Sequence, residues 1–323
     1  MKYLVTGGAG FIGSNLTHYL LQQGQSVVVL DDLSTGKPDN LADILDKIEF
    51  VQGDVRDKSA ILRAMTGCNG AFHLAAMASV QKSIDRPEDA HAINVAGTLN
   101  VLESMKELGV RRVVLAASAA AFGNQPQTPK TESMPVEPLS PYAADKIACE
   151  AYMQAYHNSY GLETVCLRYF NIFGPRQDPK GAYAAVIPAF VCKLIAGQRP
   201  VVYGDGEQTR DFCFVENVCR ANWLAMNVSP EKCDGKPINI ACAEAVSLNV
   251  ILKTLKELLH SDIEPIYEPE RIGDVKHSLA DISRAKEVLG YEPTVRFAKG
   301  LELAIDFYKT IANKRELGMG NSK

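Results

Sequence analysis

The run Thr6-Gly7-Gly8-Ala9-Gly10-Phe11-Ile12-Gly13 constrains this chain more than any other segment. It follows an apolar β-branched stretch. It opens a helical stretch with Ile12, Leu16 and Leu20 spaced by four, which stops at Gly24. Glycines at 7, 10 and 13 allow a tight strand-to-helix turn and a close approach of backbone to a pyrophosphate. The helix N-terminus, from Phe11 and Ile12 onward, then offers N–H donors and partial positive charge. Asp31 closes the next β-branched run, eighteen residues after Gly13. A carboxylate there binds an adenosine ribose diol and repels a 2′-phosphate, which favours NAD over NADP.

The glycine run belongs to a longer rhythm. Tyr3–Thr6, Ser26–Asp31, 48–52, 70–74, Arg112–Ser118 and 163–168 are short, largely continuous apolar runs. Such runs suit parallel strands covered on both faces. Helical patterns lie between them, including 95–108, which stops at Gly109. The alternation predicts an α/β fold, a doubly wound parallel sheet with right-handed crossovers. Beyond Arg168, Gly and Pro become frequent and the rhythm changes. We therefore expect a dinucleotide-binding domain over 1–168, part of 212–242 returning to it, and a smaller α/β domain over 169–323. Ser247 caps an expected helix carrying Leu248, Ile251, Leu252, Leu255 and Leu259 on one face.

Composition excludes several classes. The 323 residues are 46% hydrophobic and 22% charged, with a net charge of −4 and no block of like charge. A nucleic-acid or anionic-membrane binder would need a basic surface. Mean hydropathy is −0.07 and no apolar stretch nears the length of a membrane-spanning helix. The first residues run straight into the glycine turn without a signal-peptide core, so a cytoplasmic location is expected. The eight cysteines form no C-x-x-C pair and the six histidines no ligand spacing. Buried free thiols are expected and no metal is assigned.

A second motif carries chemistry. In Ser140-Pro141-Tyr142-Ala143-Ala144-Asp145-Lys146, serine can cap a helix and proline suits its first turn. Tyr142 and Lys146, four apart, share a helix face. A lysine ammonium there favours the phenolate, which makes Tyr142 a candidate general base for a hydroxyl proton. Ser118 ends a strand, where α/β sheets place ligands, and can hydrogen-bond the same oxygen.

These motifs, with Leu167-Arg168-Tyr169-Phe170-Asn171-Ile172-Phe173-Gly174-Pro175, resemble the extended short-chain dehydrogenase/reductases, and within them the nucleotide-sugar epimerases acting at C4. The resemblance implies a tightly held NAD, a UDP-sugar substrate and a homodimer. It places Gly7, Gly10, Phe11, Ile12, Gly13, Asp31, Asp32, Asp54, Val55, Leu74, Ala75, Ala76, Asn94, Tyr142, Lys146 and Phe170 at the cofactor. It places Ser118, Asn171, Val186, Val201, Tyr203, Arg210, Arg271, Asp274 and Ser278 at the substrate. Val186 lies on the segment over the diphosphate, Tyr203 stacks on uracil, Arg210 and Arg271 pair with the phosphates, and Asp274 accepts from the uridine ribose. The dimer contact would involve helices near 90–108 and 141–160, where Tyr152, Met153 and Tyr156 face either a partner or the core.

Ser118-Ala119-Ala120-Ala121-Phe122-Gly123 carries no acid after its serine, unlike the family's dehydratases and decarboxylases. That fits epimerisation: oxidation at C4 to a 4-keto sugar, rotation, and reduction on the other face. Phe122 replaces a residue that usually carries a hydroxyl, and Asp145 a common Ser or Thr. Ser278 stands where the resemblance puts the wall beside the sugar C2 substituent, and a small residue leaves room for an N-acetyl group. The expected substrates are therefore UDP-N-acetylglucosamine and its galacto epimer, with UDP-glucose and UDP-galactose as further candidates. A strict UDP-glucose or UDP-glucuronate 4-epimerase, a net-oxidising dehydrogenase and a non-catalytic NAD sensor remain alternatives.

Overall fold

In the computed structural model the residues described are 1–178, 186–270 and 276–316, with side chains as far as 310. In chain order the first half comprises β1 (Lys2–Thr6), α1 (Phe11–Gln22), β2 (Ser26–Asp31), β3 (Glu49–Gln52), α2 (Lys58–Met65), β4 (Gly70–His73), α3 (Val80–Asp85), α4 (Pro87–His91), α5 (Gly97–Leu108), β5 (Arg112–Ser118), α6 (Pro141–Tyr160) and β6 (Glu163–Tyr169). The second half comprises β7 (Ile172–Phe173), α7 (Val186–Ile195), β8 (Val201–Tyr203), β9 (Thr209–Asp211), β10 (Cys213–Phe214), α8 (Val215–Asn227), β11 (Asp234–Ile240), β12 (Ala245–Ser247), α9 (Leu248–Leu259), β13 (Ile266–Glu268), α10 (Ser283–Leu289) and α11 (Phe297–Glu316).

Seven strands form one sheet in the order β11-β6-β5-β4-β1-β2-β3, every pair parallel. The order reverses between β1 and β4, so the loops leaving these two strands part to opposite sides and open a crevice at their C-terminal ends. Strand alternation feeds two cores. Tyr3, Val5, Val27 and Val29 pack on the α1 and α8 side. Leu4, Val28 and Leu30 pack on the side of α2, α5 and α6. Full burial of each such side chain stabilises by roughly 1.5–3 kcal/mol. The expected strands recur within a residue or two at their ends. β11 comes from late in the chain and pairs with β6, while α8 packs against α1.

The expected helix over 95–108 differs at its start. Residues Ala92–Ala96 form a π-turn between α4 and α5. There the Asn94 carbonyl accepts from the Thr98 hydroxyl at 2.6 Å and from the Cys149 thiol at 3.2 Å. The Gly97 amide also donates to this carbonyl, so the side chains add to a backbone hydrogen bond at the turn.

A third core holds the second half together. Phe173, Phe212, Phe214 and Phe297 stack edge-on or tilted, with ring centroids 5.6–6.4 Å apart. α9 lays Ile251, Leu252 and Leu255 into it, and Ser247 caps that helix by accepting from the Val250 amide. The two halves are tied beside the glycine turn. Asn15, in the first turns of α1, donates to the Pro175 carbonyl at 2.9 Å and accepts from Arg176 Nη1 at 2.9 Å. Lys37 bridges to Asp178 at 2.7 Å.

No disulfide joins the eight cysteines. Among the described residues no helix is long and apolar enough to cross a membrane, and no His/Cys/Asp/Glu cluster is suited to a metal ion.

Candidate active site

The crevice begins at the glycine turn. Gly7 has φ +69°, and a Cβ on it would lie 2.8 Å from the Ala75 amide nitrogen, so the loops after β1 and β4 touch backbone to backbone. A Cβ on Gly13 would lie 2.1 Å from the Gly7 carbonyl oxygen. No side chain caps α1, whose N-cap is Gly10. A close-walled cradle with uncapped amides at Phe11 and Ile12 is what an anionic pyrophosphate requires. The residues present therefore fit a dinucleotide.

Asp31 ends β2 and is buried. Its oxygens accept from the Ala9 amide at 2.9 Å and the Leu33 amide at 2.8 Å. Burial raises its carboxyl above the ordinary range, and the two amides partly offset this. Asp32 is exposed and accepts from the Ser34 amide. Asp54 pairs with Arg56, whose hydrogen bond holds its carboxyl below the usual range. Val55 is buried beside it.

The second motif reaches the same crevice from α6. Ser140 caps the helix by accepting from the Ala143 amide. Pro141 occupies its first turn. The Tyr142 amide donates to the Ser83 hydroxyl at 3.0 Å, which docks α6 on α3. Lys146 is buried, donates to the Ala116 carbonyl at 2.7 Å, and holds its ammonium 5.9 Å from the centre of the Tyr142 ring. Ala116 lies two residues before Ser118, the last residue of β5, so one strand end carries the serine and anchors the lysine. The Ser118 hydroxyl oxygen accepts from the Ala120 amide at 3.1 Å.

A buried frame surrounds the pair. Thr6 hydrogen-bonds His73 at 2.7 Å, and His73 reaches Thr98 at 3.0 Å. The Leu74 and Ala75 amides donate to the same Thr6 hydroxyl, fixing the turn that continues to Ala76. Complete burial pushes the His73 imidazole down to about 3, so it is neutral here. Asn94 is committed at both ends: its carbonyl oxygen accepts from the Met77 amide at 2.8 Å and its amide donates to Asp145 at 3.1 Å. Asp145 also lies 3.4 Å from His91. One turn beyond Lys146, Glu150 pairs with Arg168, whose guanidinium lies 4.8 Å from the centre of the Phe122 ring. Phe122 packs on Phe170, and both are buried.

The remaining sites come from the second half. Asn171 is exposed and donates to the Asp211 carbonyl at 3.1 Å. Val186 is the first residue of α7. Val201 and Tyr203 stand on β8, which pairs with β13. Arg210, on β9, donates to the Thr209 carbonyl at 2.9 Å. The Ser278 amide donates to that carbonyl too, at 3.0 Å. Arg271 and Asp274 lie outside the described residues. On α6, Met153 and Tyr156 are in the core, and Tyr152 is exposed. Sequence reasoning missed Ser83, Glu150 and Asp211. Glu150 was within reach of it, since it follows Tyr142 and Lys146 at the same four-residue spacing.

Comparisons with known proteins agree with this geometry. Residues 3–241 match the NAD dependent epimerase/dehydratase family. A UDP-glucose 4-epimerase of Mycolicibacterium smegmatis is 40% identical over 96% of this chain and 99% of its own. The structure of a UDP-glucose 4-epimerase from Thermotoga maritima with UDP-glucose aligns with TM-score 0.90 at 37% identity, covering 96% of this chain and 99% of that one. A UDP-N-acetylglucosamine 4-epimerase from Methanobrevibacter ruminantium, in complex with UDP-N-acetylmuramic acid, aligns with TM-score 0.90 at 37% identity, covering 96% and 98%. The glycine cradle, the Tyr142–Lys146 pair and the full-length matches together make this chain a member of the NAD-dependent epimerase/dehydratase family.

Proposed function

We propose that this chain is a UDP-sugar 4-epimerase that interconverts UDP-N-acetylglucosamine and UDP-N-acetylgalactosamine, and turns over UDP-glucose and UDP-galactose as well. The observation that carries the reaction type is the Lys146 ammonium, fixed by a strand-end carbonyl 5.9 Å from the Tyr142 ring. A positive charge held beside the phenol fits Tyr142 as the group that takes the C4 hydroxyl proton. NAD, when bound in the glycine cradle, would supply a reversible hydride acceptor for C4. Tyr142 moves the proton, Ser118 holds the C4 oxygen, and Lys146 orients both phenol and nicotinamide ribose. Asp31 holds the adenosine ribose. Asn171, Arg210 and the residues around Val186 grip the diphosphate, Arg271 and Asp274 extend that grip, and Tyr203 with Val201 covers the uracil. A firmly held nucleotide leaves the 4-keto sugar free to turn between its two faces.

Ser278 supports the N-acetyl preference, because a small side chain beside C2 admits the larger substituent. The Ser118–Phe122 run, whose alanines transfer no proton, supports epimerisation over elimination. An NAD sensor would have no use for a proton-transfer set. Unbridged cysteines support a cytoplasmic setting, and the exposed Ala151, Tyr152 and Ala155 on α6 support a homodimer, which sedimentation would test.

The deciding experiment is product analysis with UDP-N-acetylglucosamine, UDP-glucose and UDP-glucuronate on wild type and Ser278→Tyr. Both pairs should be epimerised by wild type, and the N-acetyl activity alone should collapse in the variant. Turnover of UDP-glucose or UDP-glucuronate only would overturn the substrate assignment. Free NADH accumulating with product would identify a dehydrogenase instead.

A further inference from the structure

Asp211 takes no part in the chemistry above, yet it is fully buried and no oxygen of it is idle. One carboxylate oxygen accepts from the Cys242 amide at 2.9 Å and the other from the Ala280 amide at 3.2 Å. Its main-chain carbonyl accepts from the Asn171 side chain at 3.1 Å. Cys242 lies two residues beyond the end of β11 in the large sheet, and Ala280 is two residues beyond Ser278. Two residues before Asp211, Thr209 donates its amide to the Lys276 carbonyl at 2.9 Å, and its own carbonyl accepts from Ser278. Arg210 sits between Thr209 and Asp211.

We propose that Asp211 is a positioning residue for the UDP-sugar, clamping the sheet end at Cys242 to the wall at Ala280 so that Asn171, Arg210 and Ser278 keep one fixed register. The inference rests on the UDP-sugar reading. It explains a feature that stability alone does not. Burial pushes the Asp211 carboxyl up to about 6, with the amide hydrogen bonds only partly opposing it. A folded value above the unfolded one means that the ionised group costs the fold stability at neutral pH, a cost relieved only as pH falls through that value. An acid kept at such a position serves the geometry of the amides that donate to it. The ionised carboxylate, acceptor-only, offers one oxygen to each of the two amides.

The test compares wild type, Asp211→Asn and Asp211→Ser as NAD-loaded enzymes, on the UDP-sugar that wild type turns over. The asparagine amide sets an NH2 against one of the two donors. The serine variant is small enough to admit a water that accepts from both amides. We expect KM to rise about tenfold or more in the asparagine variant, with kcat at saturation within about threefold. NAD content and thermal midpoint should match wild type, and the serine variant should lose less. An unchanged KM, or kcat falling in parallel with KM, would overturn the proposal. So would failure of both variants to fold or to retain NAD, which would make Asp211 a structural residue. If wild type binds UDP but turns over no UDP-sugar, the functional reading fails by itself, and calorimetric UDP affinities of the same three proteins decide the role of Asp211.

Discussion

Glu150 and Arg168 meet through two parallel hydrogen bonds, Nε to Oε1 at 2.8 Å and Nη2 to Oε2 at 2.7 Å, with both side chains almost wholly inside the protein. The pair joins α6 to β6 one turn beyond Lys146. Removing either partner strands a buried charge, a loss of roughly 3–5 kcal/mol. We therefore expect Glu150→Ala and Arg168→Ala to lower the denaturation midpoint strongly. The paired replacement Glu150→Leu with Arg168→Met should recover much of the loss, because it leaves no orphan charge. Chemical denaturation of the three variants checks this, and a double variant no better than the singles would contradict it.

Tyr142→Phe removes the hydroxyl proposed to take the proton and leaves the ring. Loss of a general acid–base group lowers kcat by about 10²–10⁴-fold. Fold and NAD content should persist, because the Tyr142 contact to Ser83 uses the main-chain amide. Turnover near the wild-type rate would refute the assigned role.

Gly13→Ala places a methyl group where only 2.1 Å separates it from the Gly7 carbonyl. The obstructing atom is backbone, so the turn itself must move. We expect the purified variant to carry less than about a tenth of the wild-type NAD, a consequence of lost amide geometry at the helix start. Gln23→Ala, in the exposed residue after α1, serves as the control. Absorbance of cofactor released on denaturation measures both.

His73 sets a pH dependence of stability. Its folded value, about 3, lies below that of an exposed imidazole, so the unfolded chain takes up a proton first as the pH falls. Its contribution is complete above the unfolded value of about 6.5 and is lost progressively below it, at up to ~1.4 kcal/mol per pH unit. Denaturation curves between neutral pH and mild acid should therefore be shallower in their pH dependence for His73→Gln than for wild type. Equal slopes would place the proton uptake elsewhere.

Much of this molecule is legible in its sequence because the relevant signals are local. Strands buried on both faces announce themselves as unbroken runs such as Val27–Leu30, and Ser140-Pro141 marks the start of α6 within two residues. The shared helix face of Tyr142 and Lys146 follows from their spacing, and the glycine run with the strand-end Ser118 singles the pair out as a candidate. What escaped depends on partners far along the chain. Asn94 reads as a helix residue, but it stands in a π-turn and meets Asp145 and Cys149, more than fifty residues later. Asp211 stands in the sequence beside a more conspicuous arginine, Arg210. Its importance comes from amides at 242 and 280, which no spacing rule connects to it.

The link between Asn15 and Arg176 carries a consequence for how the molecule handles two ligands at once. Asn15 projects from the helix whose first amides face the pyrophosphate, while Pro175 and Arg176 lead out of the sheet toward the other half. Any drift of that half pulls on the first turns of this helix. On the proposed mechanism a sugar swings through a half-turn, and it would do so between walls tied to the helix start that cradles the dinucleotide, so that freedom of the guest is obtained from rigidity of the house.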